Sequence, residues 1–301
     1  MSTVKSLAVG DGDMFYIKHG SDNFTIIDCR LSAENKDEIL KEIKAESAGK
    51  GITRFVSTHP DEDHLQGLLD LDDALGLVNF YCVKNQATKS SPSESFKRYC
   101  KLRDDKKKAF YLYKGCSRKW MNESDNERDS AGLFCLWPIT SNKHYQDVLA
   151  AAKRGGSPNN LSCILKYSLK EGAKFLWMGD LETDFMEKIE DAISFDPADI
   201  LFAPHHGRES GKVINGWLKE IDPQIIIIGE APSKHLNYYE GYDTITQSSA
   251  GDIMFDCVSG KTHIYVSNPN YSVSFLVNEM QADKAGLHYL GTLPCRVLAS
   301  T

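Results

Sequence analysis

A chain of 301 residues with 41% hydrophobic and 26% charged residues can bury a substantial core, which excludes an intrinsically disordered protein. A formal charge of −7 excludes a general nucleic-acid coat, although not a local basic patch. Residues 1–5 lack the basic-then-apolar run of a secretory signal, and the four isoleucines at 225–228 are far too short a run to cross a bilayer, so no membrane segment and a cytoplasmic address are expected. None of the eight cysteines forms a Cys-x-x-Cys pair, and several sit in apolar runs, so reduced thiols are expected instead of a disulfide or zinc framework.

The opening reads as β-structure: Ser6-Leu7-Ala8-Val9, Met14-Phe15-Tyr16-Ile17 and Phe24-Thr25-Ile26-Ile27 are short apolar runs between Gly/Asp turns. Helical spacing follows over 33–48, with Ile39, Leu40 and Ile43 on one face. A strand over 54–58 runs straight into His59-Pro60-Asp61-Glu62-Asp63-His64, then come a helix over 65–75 and a strand over 79–83. The second half resumes the pattern. Strands are expected at 161–167, 175–178, 200–203 and 225–228, with helices over 182–193 and near 213–218. Two similarly organised halves suit an α/β protein of two packed sheets covered by helices, one domain over 1–301 with a C-terminal extension from about 270.

Between the halves, the segment 84–130 reads as a basic insertion or helix. Residues 97–119 carry ten Lys/Arg, among them Lys106, Lys107 and Lys108, interleaved with Tyr99, Phe110, Tyr111 and Tyr113. Such a pattern can track phosphates and stack on bases, or be a solvated helix followed by a buried strand.

The hexapeptide 59–64 holds two imidazoles and three carboxylates in one turn, an arrangement that a divalent cation would stabilise and that otherwise reads as an acidic helix N-terminus. Alternate residues of an extended segment share a side, so His59 and Asp61 can face one ion while the turn aims Asp63 and His64 at a second. Three further strand ends present metal-capable groups: Asp180 after 175–178, His205-His206-Gly207 after 200–203, and His235 after 225–228. Together they point to one metal-bearing edge.

His59-x-Asp61-x-Asp63-His64 resembles the His-x-His-x-Asp-His signature of metallo-β-lactamase-fold hydrolases, with Asp for the second His, a variant similar to the soluble hydrolase domain of ComEC-type competence proteins. Val9-Gly10-Asp11-Gly12-Asp13, Ile27-Asp28, Asn159-Asn160-Leu161-Ser162, Gly179-Asp180 and Pro204-His205-His206-Gly207 match further family motifs in order, over about residues 4–240. The chain departs from the pattern at Cys29-Arg30 and at Ser233-Lys234-His235-Leu236, and no histidine fills the mid-chain ligand position. Near that position His144 reads as a loop residue, with Asn160 and Ser162 in the neighbourhood; His19, His263 and His288 read as structural or exposed.

The resemblance implies an αββα sandwich and two divalent ions, Zn2+ or Mn2+. His59 and Asp61 would hold the first, Asp63, His64 and His205 the second, and Asp180 would bridge. Asp63, His206 and His235 would serve catalysis, His206 or His235 as proton donor, with Asn160, Ser162, Lys234 and Lys106 to Lys108 toward substrate. Replacing a histidine ligand by Asp61 shifts preference from zinc alone toward manganese. The implied reaction is phosphodiester hydrolysis through a hydroxide bridging the ions, on DNA, RNA or a nucleotide-like substrate. Two other classes share the same residues: a small-molecule metallohydrolase for a lactone, thioester or cyclic nucleotide, and a non-catalytic module that keeps the metal for binding.

Overall fold

In the computed structural model, which describes residues 1–229 and 238–296, the chain opens with an antiparallel meander of β1 (Ser2–Ser6), β2 (Phe15–Lys18) and β3 (Asn23–Ile27). It then runs through α1 (Lys36–Ser47), β4 (Ile52–Val56), α2 (Glu62–Leu65), α3 (Leu68–Leu75), β5 (Phe80–Val83), α4 (Glu94–Asp104) and β6 (Ala109–Leu112). Strands β3 to β6 are parallel neighbours. The helices start where the sequence supplies caps. Ser93 accepts the Phe96 N–H at the head of α4, and the left-handed Gly76 ends α3.

The second sheet begins with β7 (Leu133–Trp137), α5 (Lys143–Lys153), β8 (Ile164–Ser168) and β9 (Lys174–Trp177). It continues through α6 (Thr183–Lys188), β10 (Ile200–Phe202), α7 (Asn215–Ile221), β11 (Ile225–Ile228) and β12 (Thr244–Thr246). Here β9, β10, β11 and β12 are parallel and β7, β8 and β9 antiparallel. After α8 (Gln247–Ala250), the strands β13 (Ile253–Val258), β14 (Lys261–Val266) and β15 (His288–Pro294) return to the first sheet. Its order is β15-β14-β13-β1-β2-β3-β4-β5-β6, against β12-β11-β10-β9-β8-β7 in the second.

The period of two in the strands decides what faces what. Phe15 and Phe255 of the first sheet meet Phe175, Trp177 and Phe202 of the second, with ring centroids 4.8–6.1 Å apart. The next residue, Tyr16, points the other way and donates its hydroxyl to Glu42 of α1, where Lys5 also bonds. On the second sheet, Trp137 packs against Tyr145 of α5 and Phe185 of α6. Helices therefore flank the sheet pair, giving the αββα sandwich expected from the sequence. All eight cysteines are free thiols, and among the described residues no helix is long and apolar enough to cross a membrane.

Several elements differ from expectation. The first strand lies at Ser2–Ser6, because the Leu7 to Val9 run bends into the Gly10–Gly12 turn, where Ala8 donates to Asp252. The strand expected from 161 begins at Ile164, after a turn of 3-10 helix at Asn159–Leu161. Residues 182–193 divide into α6 and a short 3-10 turn at Glu190–Ala192. The stretch read as a basic insertion or helix supplies the helix α4 and, after it, β6, which is one edge strand of the first sheet. Residues 253–294 form the other edge, so the stretch from about 270 expected as a C-terminal extension contributes β15 to the first sheet, and β13 and β14 are strands beyond those expected.

Because Phe175 touches Tyr167, Trp177, Phe202 and Phe255 and is fully buried, Phe175→Ala is expected to cost about 3–5 kcal/mol in denaturant-induced unfolding. A loss below 1 kcal/mol, roughly a surface-substitution effect, would contradict a core centred between the sheets.

Candidate metal centre

The carboxyl ends of the parallel strands of both sheets carry the candidate residues. Asp28 follows β3, His59 to His64 follow β4, Asp180 follows β9, and His205 and His206 follow β10. Strand β2 is antiparallel to β3 with Phe15 opposite Ile27, so Asp13, just before β2, reaches the same edge. Backbone bonds tie the loops together: Asp13 N–H to Asp63 carbonyl (3.3 Å), Cys29 N–H to His64 carbonyl (2.8 Å) and His205 N–H to Gly179 carbonyl (2.9 Å).

Asp180 lies at the middle. Its carboxylate oxygens are 3.0 Å from His64 Nε2, 3.6 Å from His206 Nε2, and 3.8 Å from both His59 Nε2 and His205 Nε2. His206 Nε2 is also 3.3 Å from Asp63 and its Nδ1 3.1 Å from Asp13. His59 Nε2, His64 Nε2 and Asp180 Oδ1 are buried yet have no hydrogen-bond partner among the described residues. His64 Nε2 and Asp180 Oδ1 are thus close enough to bond but are not aligned to do so. Unsatisfied buried polar atoms are costly, and atoms that converge without bonding one another fit ligands of a common cation. Among the described residues two overlapping groups could hold an ion: His59, Asp63, His64 and Asp180, and Asp13, His64, Asp180 and His206.

The far nitrogens are already engaged. His64 Nδ1 lies 2.8 Å from Asp28, and His59 Nδ1 lies 3.2 Å from the Thr58 hydroxyl. Asp28 is itself fully buried and accepts from Thr58 N–H and the Thr58 hydroxyl. A carboxylate behind an imidazole orients the ring and raises its basicity, the usual support of a metal-ligating histidine.

The backbone is strained where it delivers these groups. Asp28, His205 and His206 have φ of 55°, 52° and 56°, a left-handed conformation costing about 1–2 kcal/mol per non-glycine residue. Gly179, at φ 53°, avoids that cost and leaves room for Ser162, whose hydroxyl would lie 2.6 Å from a Cβ there.

Electrostatics follow from burial opposed by pairing. Burial drives the His59 imidazole down to about 4, and the neighbouring His64 charge acts the same way. For His206, burial acts downward too, but Asp13 and Asp180 overcome it and push the group up to about 10. His64 is raised as well, with Asp180 and Asp28 outweighing its burial. Asp180 is held well below the carboxylate range, since His64, His206 and His59 outweigh the upward effect of burial. For Asp63, a bond from His206 and the His64 charge likewise overcome burial and lower the carboxyl.

Several expected residues stand elsewhere. Asp61 caps α2 and pairs with Lys89 at 2.7 Å, turned from the cluster that holds its neighbours. Ser162 is fully buried and accepts the Asp180 N–H, and Asn160 clamps Glu182 by accepting its N–H and donating to its carboxylate. Both therefore position the Asp180 loop, and Ser162 has no surface to offer a substrate. Lys106, Lys107 and Lys108 occupy the turn before β6, at the amino ends of the parallel strands, whereas the cluster lies at their carboxyl ends. Lys234 and His235 lie outside the described residues. Asp13 and Asp28 are the participants to which sequence reasoning assigned no role, although both fall in motifs it singled out.

No protein-family model matches the chain, and no curated protein matches its sequence. Among solved structures it is similar to the crystal structure of a new diphosphatase from the PhnP family, at 14% identity and a TM-score of 0.43, over 85% of this chain and 98% of that one.

Two outcomes are expected of the cluster. Asp28→Asn should weaken zinc binding by about 10–100-fold while the circular dichroism spectrum is kept, as loss of a carboxylate behind a ligating histidine does. An unchanged affinity would mean that Asp28 serves the fold alone. Since His64 and His206 are held protonated and ligands must be neutral, a divalent cation should expel protons and bind less tightly as pH falls. Calorimetry of zinc binding in buffers of different ionisation enthalpy reads the number released, and none released would contradict ligation by these rings.

Proposed function

We propose that the chain is a binuclear metal-dependent phosphodiester hydrolase acting on nucleic acid, of the metallo-β-lactamase type and similar to the ComEC-type domains its motifs resemble. The observation that carries this reading is the convergence of His59 Nε2, His64 Nε2 and Asp180 Oδ1, buried and unbonded, with Asp63, His206 and Asp13 around them.

Asp180 belongs to both candidate groups and so suits a bridging position. His59 and Asp63 would complete one side, Asp13 and His206 the other, with His64 near both. His205, 3.8 Å from Asp180, stands ready as a further ligand, while Asp61 would have to leave Lys89 to take part. Two divalent ions there would supply Lewis-acid stabilisation of phosphoryl oxygens and lower the pKa of a bound water. A donor set rich in carboxylates suits Mn2+ as well as Zn2+.

The protein's own groups would do the rest. Asp28 and Thr58 hold His64 and His59 in one ring orientation, and Ser162 and Asn160 hold the Asp180 loop. Left unligated, His206, pushed up to about 10 against its burial by Asp13 and Asp180, would carry a proton at neutral pH for a leaving oxygen; as a ligand it would leave that role to His235. Free thiols suit a reducing compartment, in keeping with a cytoplasmic address.

Elemental analysis should find about two Zn or Mn per chain, the content a two-metal site requires. Asp180→Ala should stay folded by circular dichroism yet lose hydrolysis of bis(p-nitrophenyl) phosphate by about a hundredfold or more. A protein that hydrolyses this diester at full rate after chelation, or an Asp180→Ala variant with wild-type turnover, would remove the proposal.

A further inference from the structure

Three adjoining depressions lead away from the metal edge along the carboxyl ends of β5 and β6. The first, of about 370 Å³, is walled by Pro60, Asp61, Lys89 and Phe96. It shares Lys89 and Phe96 with a second of about 620 Å³, which in turn shares Gln86 and Lys153 with a third of about 480 Å³ that ends at Lys84 and Tyr111. Each is within the range of a single small-molecule site, about 300–1,000 Å³, so together they exceed what one nucleotide needs.

The groove is held open by named bonds. Thr88 N–H bonds to the Ala152 carbonyl at 3.1 Å and the Thr88 hydroxyl to the Lys153 carbonyl at 3.0 Å, which pins the loop after β5 to the end of α5. The Ser95 hydroxyl bonds to the Gln66 carbonyl at 2.7 Å and fixes α4 against the loop after α2. Its charge runs against the rest of the chain. Lys84, Lys89, Lys97, Arg103 and Lys153 line the three depressions against Asp61 and Asp104, in a protein of net charge −7. Asp61 is matched by Lys89 and Asp104 by Arg103. Among the described residues, Lys84 and Lys153 enter no ion pair; Lys84 lies 5.6 Å over the Tyr111 ring, beside an aromatic face. Groups so placed take a phosphate and a base.

We infer that this groove binds the strand flanking the scissile phosphodiester, so that the substrate is a single-stranded nucleic acid several nucleotides long, its phosphates passing from Lys89 to Lys153 and Lys84. The inference rests on the hydrolase reading for what happens at the metals, but the binding stands on the groove alone. Separate depressions of a few hundred Å³, with an aromatic ring and ammonium groups lining them, suit the unstacked bases and phosphates of a single strand, whereas a duplex keeps its bases stacked inside. The basic turn at Lys106 to Lys108, at the far end of the strands, takes no part.

The test uses the full-length protein with its metal and labelled phosphorothioate oligothymidines, which resist cleavage. Fluorescence anisotropy should show strands of about eight nucleotides bound at least tenfold more tightly than the dinucleotide, in line with site sizes of other single-strand binders. The double variant Lys84→Gln/Lys153→Gln should lose about tenfold in affinity and flatten the log–log salt slope by about 1.4, near 0.7 per phosphate contact. Lys106→Gln/Lys107→Gln should change neither, and bis(p-nitrophenyl) phosphate hydrolysis should survive both pairs. Binding independent of length, or a salt slope unmoved by the Lys84/Lys153 pair or moved as much by the Lys106/Lys107 pair, would overturn the groove while leaving the hydrolase intact. Length- and lysine-dependent binding without diester hydrolysis would instead uphold the groove and defeat the hydrolase reading.

Discussion

A carboxylate almost wholly withdrawn from water among four imidazoles is the constraint around which the site is organised. Asp180 is 2% exposed and reaches His59, His64, His205 and His206 within 3.8 Å. Burying such a charge is expensive unless opposite charge and hydrogen bonds surround it. The surroundings answer that demand at each point. Ser162 takes the Asp180 N–H, Asn160 ties down the following Glu182, and Gly179 accepts a conformation that a larger residue would resist. What hydrogen bonding leaves unsatisfied, the inward Nε2 atoms of His59 and His64 and one Asp180 oxygen, is the capacity for a cation.

That capacity depends on two sheets meeting in register. The loops that carry the candidate ligands leave the carboxyl ends of parallel strands in both sheets, the edge where open α/β sheets commonly place ligands. A single backbone bond from Cys163 to Thr58 (3.1 Å) links the second sheet's entry loop to the strand that delivers His59. The Phe15, Phe202 and Phe255 contacts hold the sheets face to face behind it, so a shift in core packing would pull Asp180 away from His64. Strain at Asp28, His205 and His206 persists because those contacts over-determine the loops.

Strand direction also sorts the basic residues. Phe80 pairs with Ala109 and Val83 with Leu112, so residues before β6 and residues after β5 lie at opposite ends of the sheet. Lys106 to Lys108 therefore fall at the end away from the cluster, whereas Lys84 and Lys89 share an edge with it. Much of the remaining positive charge of this region is spoken for: Arg98 pairs with Asp72 and Asp73, Lys119 with Asp125, and Arg118 covers the Tyr81 and Phe110 rings.

Local pattern was sufficient wherever a feature depends on neighbours in the chain. Short apolar runs located β4, β5, β9, β10 and β11 to within two residues, and candidate His and Asp residues follow several of them. The two-layer architecture followed from repeated strand and helix alternation. Features set by distant partners were hidden. Asp61 looked like a ligand by alternation, but Lys89, 28 residues on, draws it aside. Ser162 and Asn160 looked like substrate contacts until the loop 18–22 residues later was seen to hang from them. Asp13 joins the cluster only through antiparallel pairing of β2 with β3, and Asp28 earns its place only behind His64, 36 residues away. Residue types and spacing therefore determined which chemistry the chain can carry. Tertiary structure decided which side chains carry it, because ligation and charge pairing act through space and burial, and neither is visible in linear spacing.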